Sequence, residues 1–214
     1  MLGRHLLLDI DGVIVRDKLL LAHVKSNCTK YIASKLPESD NPREVNRVLY
    51  LAHGHTARGL KNVFNIDTKD FNEKVYDKPL LEHLAEVIYS PDFQDEAKEI
   101  HAMTTRGFDV TLFTNAPIEW AAPVARAISD KLHVKCSGPD PCESYLKPEL
   151  GMYNFPKDKK YVYVDDCLKN LGTARRMLNW CPVHFKEEGV KDRDLWCHQI
   201  GSIWELSLLM NSAI

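Results

Sequence analysis

The sequence lacks an excess of charge of either sign, and this absence argues against one broad class of function. Its 214 residues include 28 Lys and Arg against 30 Asp and Glu, which gives a formal net charge of -2. No long block of like charge interrupts this balance. Proteins that bind nucleic-acid polymers normally present a basic surface to the phosphates. We therefore expect no nucleic-acid partner.

Long apolar runs and paired cysteine motifs are also missing. The apolar run near the start ends at Asp9, which is too soon for a signal peptide or a membrane span. The six cysteines form no C-x-x-C pair. With 44% hydrophobic and 27% charged residues, the composition is that of an ordinary globular protein. We expect a soluble, cytoplasmic protein without a membrane partner, in which the cysteines stay reduced.

Short apolar runs that end abruptly at polar residues recur along the chain. They cover residues 6–8, 110–113 and 161–164, with weaker examples at 133–136 and 183–185. Consecutive apolar positions are typical of strands that are buried on both faces. Helical patterns separate them at residues 118–132, 168–180 and 203–210. This alternation predicts an α/β fold with a parallel sheet and helices on both faces.

Residues 16–89 show helical periodicity and no clear strand. Val24, Tyr31 and Ile32 fall on one face of a helix, and residues 37–42 contain the prolines and turn formers that would end it. The pattern predicts a small helical domain inserted into the α/β core. We expect the core domain to comprise residues 1–15 and 90–214, and the inserted domain to comprise residues 16–89.

Polar side chains follow several of the predicted strands. Because the carboxyl ends of parallel strands share one edge of a sheet, Asp9, Thr114 and Asp165 should converge there. Carboxylates that lie close together repel each other, which raises their pKa values unless a cation lies between them. Oxygen ligands of this kind suit Mg2+. The sequence therefore predicts a magnesium site at this edge.

The segment Asp9-Ile10-Asp11-Gly12 is the sharpest of these features. Side chains at i and i+2 of a strand face the same side, so one carboxylate can attack while the other handles a proton. A solvated turn at the end of the strand is the plain structural alternative.

Three further features carry candidate site residues. Thr114 and Asn115 offer donors for phosphate oxygens, and Lys147 offers a positive charge ahead of a proline. Asp165 is a candidate metal ligand, while Asp166 and Asn170 could support it or cap a helix. Taken alone, each feature has a structural explanation as a cap, a turn or a surface lysine.

The order of these motifs resembles the signature of the haloacid dehalogenase (HAD) superfamily. The four motifs are Asp9-Ile10-Asp11-Gly12, Thr114-Asn115, Lys147-Pro148 and Asp165-Asp166. The resemblance implies a Rossmann-like core, with residues 16–89 as a helical cap of the C1 type. Residues 49–60 are similar to the cap of the pyrimidine 5'-nucleotidase branch, although His53 stands where that branch usually has Tyr.

The resemblance also implies a role for each motif residue. Asp9 would be the nucleophile and Asp11 the general acid and base. Thr114 would hold the phosphoryl group, and Lys147 would pair with both the nucleophile and the phosphate. Asp165 would bind Mg2+ together with Asp9 and the backbone carbonyl of Asp11.

These roles predict a Mg2+-dependent phosphohydrolase that cleaves small phosphate monoesters through an aspartyl phosphate. Nucleoside 5'-monophosphates are the leading candidate substrates. Dehalogenases of the family lack the second aspartate, so Asp11 favours phosphate chemistry. A sugar-phosphate phosphomutase would use the same core motifs, and a non-catalytic binding module on this scaffold is the third alternative.

The predicted cap carries His53, His55 and Arg58, which could meet a substrate anion, although we favour a solvated helix end. The four tryptophans are expected in the core rather than as stacking platforms; they are Trp120, Trp180, Trp196 and Trp204.

Overall fold

The computed structural model describes residues 5–187 and 196–212, and it places a six-stranded sheet at the centre of the molecule. The strands are β1 (His5–Leu8), β2 (Asp109–Phe113), β3 (His133–Lys135), β4 (Tyr161–Asp165), β5 (Trp180–Phe185) and β6 (His198–Ile200). Their order is β3-β2-β1-β4-β5-β6, and every neighbouring pair is parallel. The predicted α/β fold with a parallel sheet is confirmed.

The helices of the described residues connect these strands. They are α1 (Lys18–Lys35), α2 (Pro42–His53), α3 (Thr56–Phe64), α4 (Phe71–Val75), α5 (Lys78–Ile88), α6 (Pro91–Thr105), α7 (Ile118–Ile128), α8 (Leu168–Ala174) and α9 (Ile203–Ser212). A short 3-10 helix covers Leu150–Tyr153.

Local sequence signals set several helix boundaries. Asp17 accepts a hydrogen bond from the Leu20 backbone N–H at 2.7 Å and so caps the start of α1. Asn41 does the same for α2, which has Pro42 in its first turn. Gly54 ends α2 with a φ of 75°, a conformation that glycine adopts without strain.

Two of the predicted helices are too long. The helix expected over residues 168–180 ends at Ala174, and Trp180 is already the first residue of β5, where it pairs with Tyr161. Leu178, which continues the apolar spacing of the predicted helix, is fully exposed. Likewise α7 ends at Ile128, since Ser129 has extended backbone. In both cases isolated apolar residues continued the helical pattern past its true end.

The sheet buries different side chains on its two faces, because successive strand residues alternate in direction. On one face, Leu6 and Leu8 join a large apolar cluster with side chains of α5, α6, α7 and α9. On the other face, Leu7 joins a cluster rich in aromatic rings, including Phe113 and Tyr163. The central strand β1 is thus covered on both sides, which explains why it reads as a continuous apolar run.

Helices α1 to α5, which we call the helical segment, lie between β1 and α6 in the chain. Side chains of α1 to α4 form a third apolar cluster around Phe71, Leu60 and Ile32. Side chains of α5 pack instead on the large cluster beside the sheet. The division into two domains at residues 16–89 stays a prediction.

Two further expectations concern the membrane and the cysteines. In the part of the chain that the structure describes, no helix combines the length and apolar character needed to cross a bilayer. The six cysteines are all unpaired. Among the tryptophans, Trp120 is fully buried, but Trp204 is 59% exposed and Trp196 is 36% exposed, so the expectation that all four are core residues is wrong.

Candidate active site

The parallel register brings the polar strand ends together at one edge of the sheet. Leu8 pairs with Leu112 on one side and with Val164 on the other, so the residues that follow these strands lie side by side. The backbone N–H of Asp9 donates to the Val164 carbonyl at 3.0 Å and continues this alignment. Asp9 is therefore placed next to Asp165 at the centre of the edge.

Lys147 inserts its ammonium group between these two carboxylates. Its Nζ lies 2.8 Å from Asp9 Oδ1 and 2.8 Å from Asp165 Oδ2, and it also donates to the Phe113 carbonyl at 2.9 Å. The Lys147 side chain is 1% exposed. A buried ammonium group with three oxygen partners uses its full donor capacity, so its position is fixed.

Burial and mutual charge control the protonation of this pair. Burial raises the pKa of Asp9 well above its usual value; Lys147 lowers it in part, and Asp165 and Asp166 raise it again. Burial tends to lower the pKa of Lys147, but the charges of Asp165 and Asp9 hold it above its usual value. Lys147 thus stays charged at neutral pH and supplies the site with a permanent cation.

Asp165 accepts hydrogen bonds from several directions. Its Oδ1 accepts from the Cys167 backbone N–H at 2.8 Å and from Asn170 Nδ2 at 3.1 Å. Its Oδ2 accepts from Lys147 Nζ and from the Tyr163 hydroxyl. With 0% exposure and this set of donors, Asp165 is held rigidly in place.

Asp166 completes an acidic cluster with Asp9 and Asp165. Within the described residues, the carboxylate oxygens of these three side chains lie within 4.8 Å of one another. Asp166 is exposed as a residue, but desolvation of its carboxylate and the charge of Asp165 raise its pKa to about 6. Asp166 does not cap α8, whose first turn has no side-chain cap. Its carboxylate instead lies among the candidate metal ligands.

Gly12 allows Asp166 to approach the first motif. Its φ is 83°, and a Cβ built at this position would overlap the Asp166 carboxylate. Glycine is thus favoured by the backbone conformation, and a larger residue here would displace the Asp166 carboxylate from the first motif.

Asp11 is turned toward a different environment from that of Asp9. Its Oδ1 accepts a hydrogen bond from Trp120 Nε1 at 3.0 Å. Burial raises the pKa of Asp11 to about 6, while the Trp120 hydrogen bond and the Lys147 charge lower it in part. The side chain of Asp11 does not belong to the three-carboxylate cluster. The two aspartates of the first motif thus have separate partners.

Thr114 and Asn115 lie next to the cluster, but part of their hydrogen-bonding capacity is used within the protein. Thr114 is buried, and its hydroxyl oxygen accepts from the Ala116 backbone N–H at 3.0 Å. The Asn115 amide donates to the Lys147 carbonyl at 2.9 Å and accepts from the Lys147 N–H at 2.7 Å. Asn115 therefore fixes the backbone that carries Lys147.

The loop of residues 137–149, which carries Lys147, is attached to the helical segment. Arg58 of α3 forms an ion pair with Glu149 and donates to the carbonyls of Pro141 and Ser144. Asn72 of α4 donates to the carbonyls of Gly138 and Pro139, at 3.2 Å each. Arg58 is therefore committed to this loop, and neither a solvated helix end nor contact with a substrate anion describes it.

His55 is also a packed residue rather than a solvated one. It is 8% exposed, and its Nδ1 accepts from the Ala57 backbone N–H at 3.3 Å. Burial, together with the charge of Arg58, lowers the pKa of His55 to about 4. His55 is thus neutral at physiological pH and offers no charge to an anion.

Two tyrosines of the helical segment lie near the carboxylates. Tyr50 is 51% exposed as a whole, but desolvation raises the pKa of its hydroxyl, and the charges of nearby groups, Asp9 and Asp166 among them, add to the shift. Burial also raises the pKa of Tyr76, with Asp11 as the next contributor. The charges of the site aspartates thus act on both tyrosines.

Sequence reasoning missed two residues that contact the cluster. Tyr163 precedes Asp165 by two positions in a strand, so its side chain had to point the same way, and that spacing could have indicated it. Trp120 is a core residue, as its apolar context predicts, but the prediction leaves out its hydrogen bond to Asp11. No sequence spacing points to that contact.

Comparison with solved structures shows which fold surrounds this site. An HAD phosphatase from Thermococcus onnurineus shares 19% sequence identity over 98% of both chains, with a TM-score of 0.60. CbbY from Rhodobacter sphaeroides, solved in complex with phosphate, shares 15% identity over 96% of both chains, with a TM-score of 0.61. An L-2-haloacid dehalogenase from Xanthobacter autotrophicus shares 10% identity over the full length of both chains, with a TM-score of 0.55.

Neither a protein-family model nor a curated protein sequence matches the chain. At these low identities the structural likeness establishes the fold and leaves the reaction open, since phosphatases and dehalogenases both share it. The chain has the α/β fold of the HAD phosphatases and dehalogenases.

Proposed function

We propose that the protein is a cytoplasmic, Mg2+-dependent phosphohydrolase of the HAD superfamily, and that it cleaves small phosphate monoesters through an aspartyl phosphate on Asp9. Nucleoside 5'-monophosphates are the leading substrates. The helical segment acts as a cap of the C1 type over the site.

The main support for this proposal is that the two aspartates of the first motif have different partners. Asp9 lies 2.8 Å from Lys147, whose charge opposes the rise in its pKa, and a cation bound at the acidic cluster would further favour the ionised form that a nucleophile needs. Asp11 is held by Trp120 and has a pKa of about 6, which suits a group that gives and takes a proton near neutral pH. Phosphoryl transfer to a carboxylate needs this division of roles. A dehalogenase has no leaving alkoxide to protonate.

The proposed reaction has two steps. In the first, an Asp9 oxygen attacks phosphorus, the ester P–O bond breaks, and Asp11 gives its proton to the leaving oxygen. In the second, water attacks phosphorus, Asp11 takes a proton from that water, and the bond between phosphorus and Asp9 breaks. The products are the alcohol and inorganic phosphate, and both aspartates return to their starting state. Lys147 neutralises charge on the phosphoryl oxygens throughout.

The donor set of the acidic cluster fits a hard divalent cation. Asp9, Asp165 and Asp166 present only carboxylate oxygens, which Mg2+ prefers. With all three carboxylates ionised, Lys147 alone would leave a net negative charge here, and a further cation would offset it. Bound there, Mg2+ would polarise a phosphoryl oxygen and offset the developing charge.

The helical segment supports a small substrate with a ring. Tyr50 is half exposed and lies near the carboxylates, so its ring offers stacking surface to a flat ring such as a nucleobase, whereas Tyr76 packs edge-on against Trp120 beside it. The attachment of the segment to the loop of residues 137–149 keeps these rings next to the site. This arrangement favours a nucleoside monophosphate over a phosphoprotein.

Release of inorganic phosphate from a panel of esters tests the proposal. The panel contains nucleoside 5'-monophosphates and sugar phosphates, each with Mg2+ and with EDTA, and 2-chloropropionate as a dehalogenase control. We expect Mg2+-dependent phosphate release, concentrated on nucleotides, and no halide release. Asp9→Asn should abolish turnover, because an amide is not a nucleophile.

The other outcomes separate the alternatives. Phosphate release mainly from sugar phosphates would keep the mechanism and remove the nucleotidase assignment. An isomerised sugar phosphate would indicate a mutase. Halide release, or no product from any compound, would refute the phosphohydrolase assignment.

A further inference from the structure

Trp120 is buried like a core residue, but it also hydrogen-bonds to a residue of the candidate active site. It lies in the first turn of α7 and is 0% exposed. Its indole Nε1 donates to Asp11 Oδ1 at 3.0 Å, and among the described residues no other side chain hydrogen-bonds to that carboxylate. A partly buried carboxyl group that is held by one side-chain donor takes its orientation largely from that donor.

The indole ring is itself held from two sides. The ring of Tyr76, which follows α4, meets it edge-on, with ring centroids 5.5 Å apart and an interplanar angle of 65°. On its other sides Trp120 belongs to the apolar cluster beside the sheet. Close packing of this kind leaves the indole one rotamer, so the direction of its N–H is fixed.

The donor character of the indole decides which oxygen of Asp11 can carry a proton. An indole N–H can only donate, so Asp11 Oδ1 must be the acceptor in every protonation state of the carboxyl group. When Asp11 is neutral, its carbonyl oxygen is a better acceptor than its hydroxyl oxygen, so the Trp120 N–H favours the form with the proton on Oδ2. That oxygen is left available to a reacting group.

We propose that Trp120 is a positioning residue for proton transfer: by binding Oδ1 of Asp11, it confines the transferable proton to Oδ2 and fixes the direction of that oxygen. Tyr76 extends this control to the helical segment. The inference rests on the proposed function, in which Asp11 protonates the leaving oxygen as the ester bond breaks.

A positioning role makes a prediction that a packing role does not. Proton donation matters for an alkyl ester, whose alkoxide is a poor leaving group, and matters little for a nitrophenyl ester, whose phenolate leaves unprotonated. Loss of the hydrogen bond should thus impair one substrate and spare the other. Loss of packing would impair both, because it would disturb Asp9 and Lys147 as well.

The experiment compares kcat/KM of Trp120→Phe on an alkyl phosphate and on p-nitrophenyl phosphate, both with Mg2+. For both substrates kcat/KM reports the steps up to formation of the aspartyl phosphate. General acid catalysis contributes about 100- to 10,000-fold, and we expect misorientation to remove about 10- to 100-fold of it for the alkyl ester. We expect a change of less than about threefold for the nitrophenyl ester.

Two controls separate the hydrogen bond from the loss of ring volume. Benzothienylalanine at position 120 keeps the shape of tryptophan but replaces the N–H by sulfur, and it should reproduce the selective loss without lowering the melting temperature. Trp180→Phe removes an indole from the aromatic cluster on the other face of the sheet, and it should leave the ratio between the two esters unchanged.

A double-mutant cycle with Asp11→Asn completes the test. Asp11→Asn alone should show the same selectivity for the alkyl ester, and adding Trp120→Phe should cause no further loss, because the two groups act as one unit. Equal losses on both esters, or losses that add in the double variant, would overturn the inference.

A readout without turnover keeps the inference separate from the proposed function. The Nε1–H resonance of Trp120 should shift in Asp11→Ala if the hydrogen bond exists in solution. If the wild type cleaves neither ester, the proposed function fails and the catalytic role of Trp120 fails with it. If the wild type cleaves both esters and Trp120→Phe shows no selectivity, only the inference fails.

Discussion

Replacement of Lys147 by methionine tests the electrostatic basis of the site most directly. The ammonium group is buried and lies 2.8 Å from both Asp9 and Asp165. Lys147→Met keeps most of the aliphatic side chain and removes the charge. The two carboxylates then face each other, and Asp166, without a cation between them.

The expected loss of stability follows from the cost of leaving a buried charge without its partner. Removal of one member of a buried ion pair costs about 3–5 kcal/mol. For a chain of this length, about 1 kcal/mol corresponds to a shift of about 2–4 °C in melting temperature. The variant should therefore melt on the order of 10 °C below the wild type in EDTA at pH 7.5.

The loss should also depend on pH, with a definite sign. The pKa of Asp9 is raised in the folded protein, so the folded state binds a proton that the unfolded state releases at lower pH. Ionisation of such a group lowers stability as the pH rises through that interval. Without Lys147 the pKa of Asp9 rises further. The melting temperatures of variant and wild type should thus lie closer together at pH 5 than at pH 7.5.

Thermal unfolding followed by circular dichroism measures these differences. Mg2+ should raise the melting temperature of Lys147→Met more than that of the wild type, because it replaces the missing cation. Lys98→Met, which removes an exposed ion pair with Asp95, is the control and should change stability by less than about 1 kcal/mol. Equal melting temperatures for Lys147→Met and the wild type in EDTA at pH 7.5 would refute the reasoning.

Three further predictions test other parts of the site. Gly12→Ala should lower the free energy of unfolding by about 1–3 kcal/mol, because a φ of 83° is strained for alanine. Its Cβ would also displace Asp166, so calorimetry should show weaker Mg2+ binding, and unchanged Mg2+ affinity would contradict this. Arg58→Met should cost about 1–3 kcal/mol in urea unfolding, since two loop carbonyls lose a charged donor, whereas the exposed Arg47→Met should cost less than about 1 kcal/mol. The kcat/KM for an alkyl phosphate should fall as the pH rises above about 6, where Asp11 loses its proton, and a pH profile of Asp11→Asn that keeps this decline would show that another group causes it.

The strands were predictable because their burial leaves a direct trace in the sequence. The runs that became β1, β2 and β4 are covered on both faces by apolar clusters, so almost every position had to be apolar. The short edge strand β6 (His198–Ile200) has no such run and was not predicted. Helix ends were harder, since Leu178 continues a helical pattern although the chain has already turned toward β5.

The site was predictable to the extent that it depends on strand ends. Parallel pairing alone requires that Asp9 and Asp165 meet, and the structure places them beside each other. The part that depends on tertiary packing left no such trace. Trp120 reaches Asp11 from a helix, and Arg58 reaches the loop of residues 137–149 across a gap of more than eighty residues. Neither contact follows from a local pattern.

Contacts from the sheet edge and from the helical segment together hold the backbone around Lys147. Asn115 at the sheet edge binds both the N–H and the carbonyl of Lys147. From the helical segment, Gly54 lies against Pro148 and the Lys147 carbonyl, while Arg58 holds the same loop farther along. The charge that keeps the acidic cluster together is therefore positioned in part by helices that do not belong to the sheet. Any opening of the helical segment must either break these contacts or move the backbone of Lys147 with it.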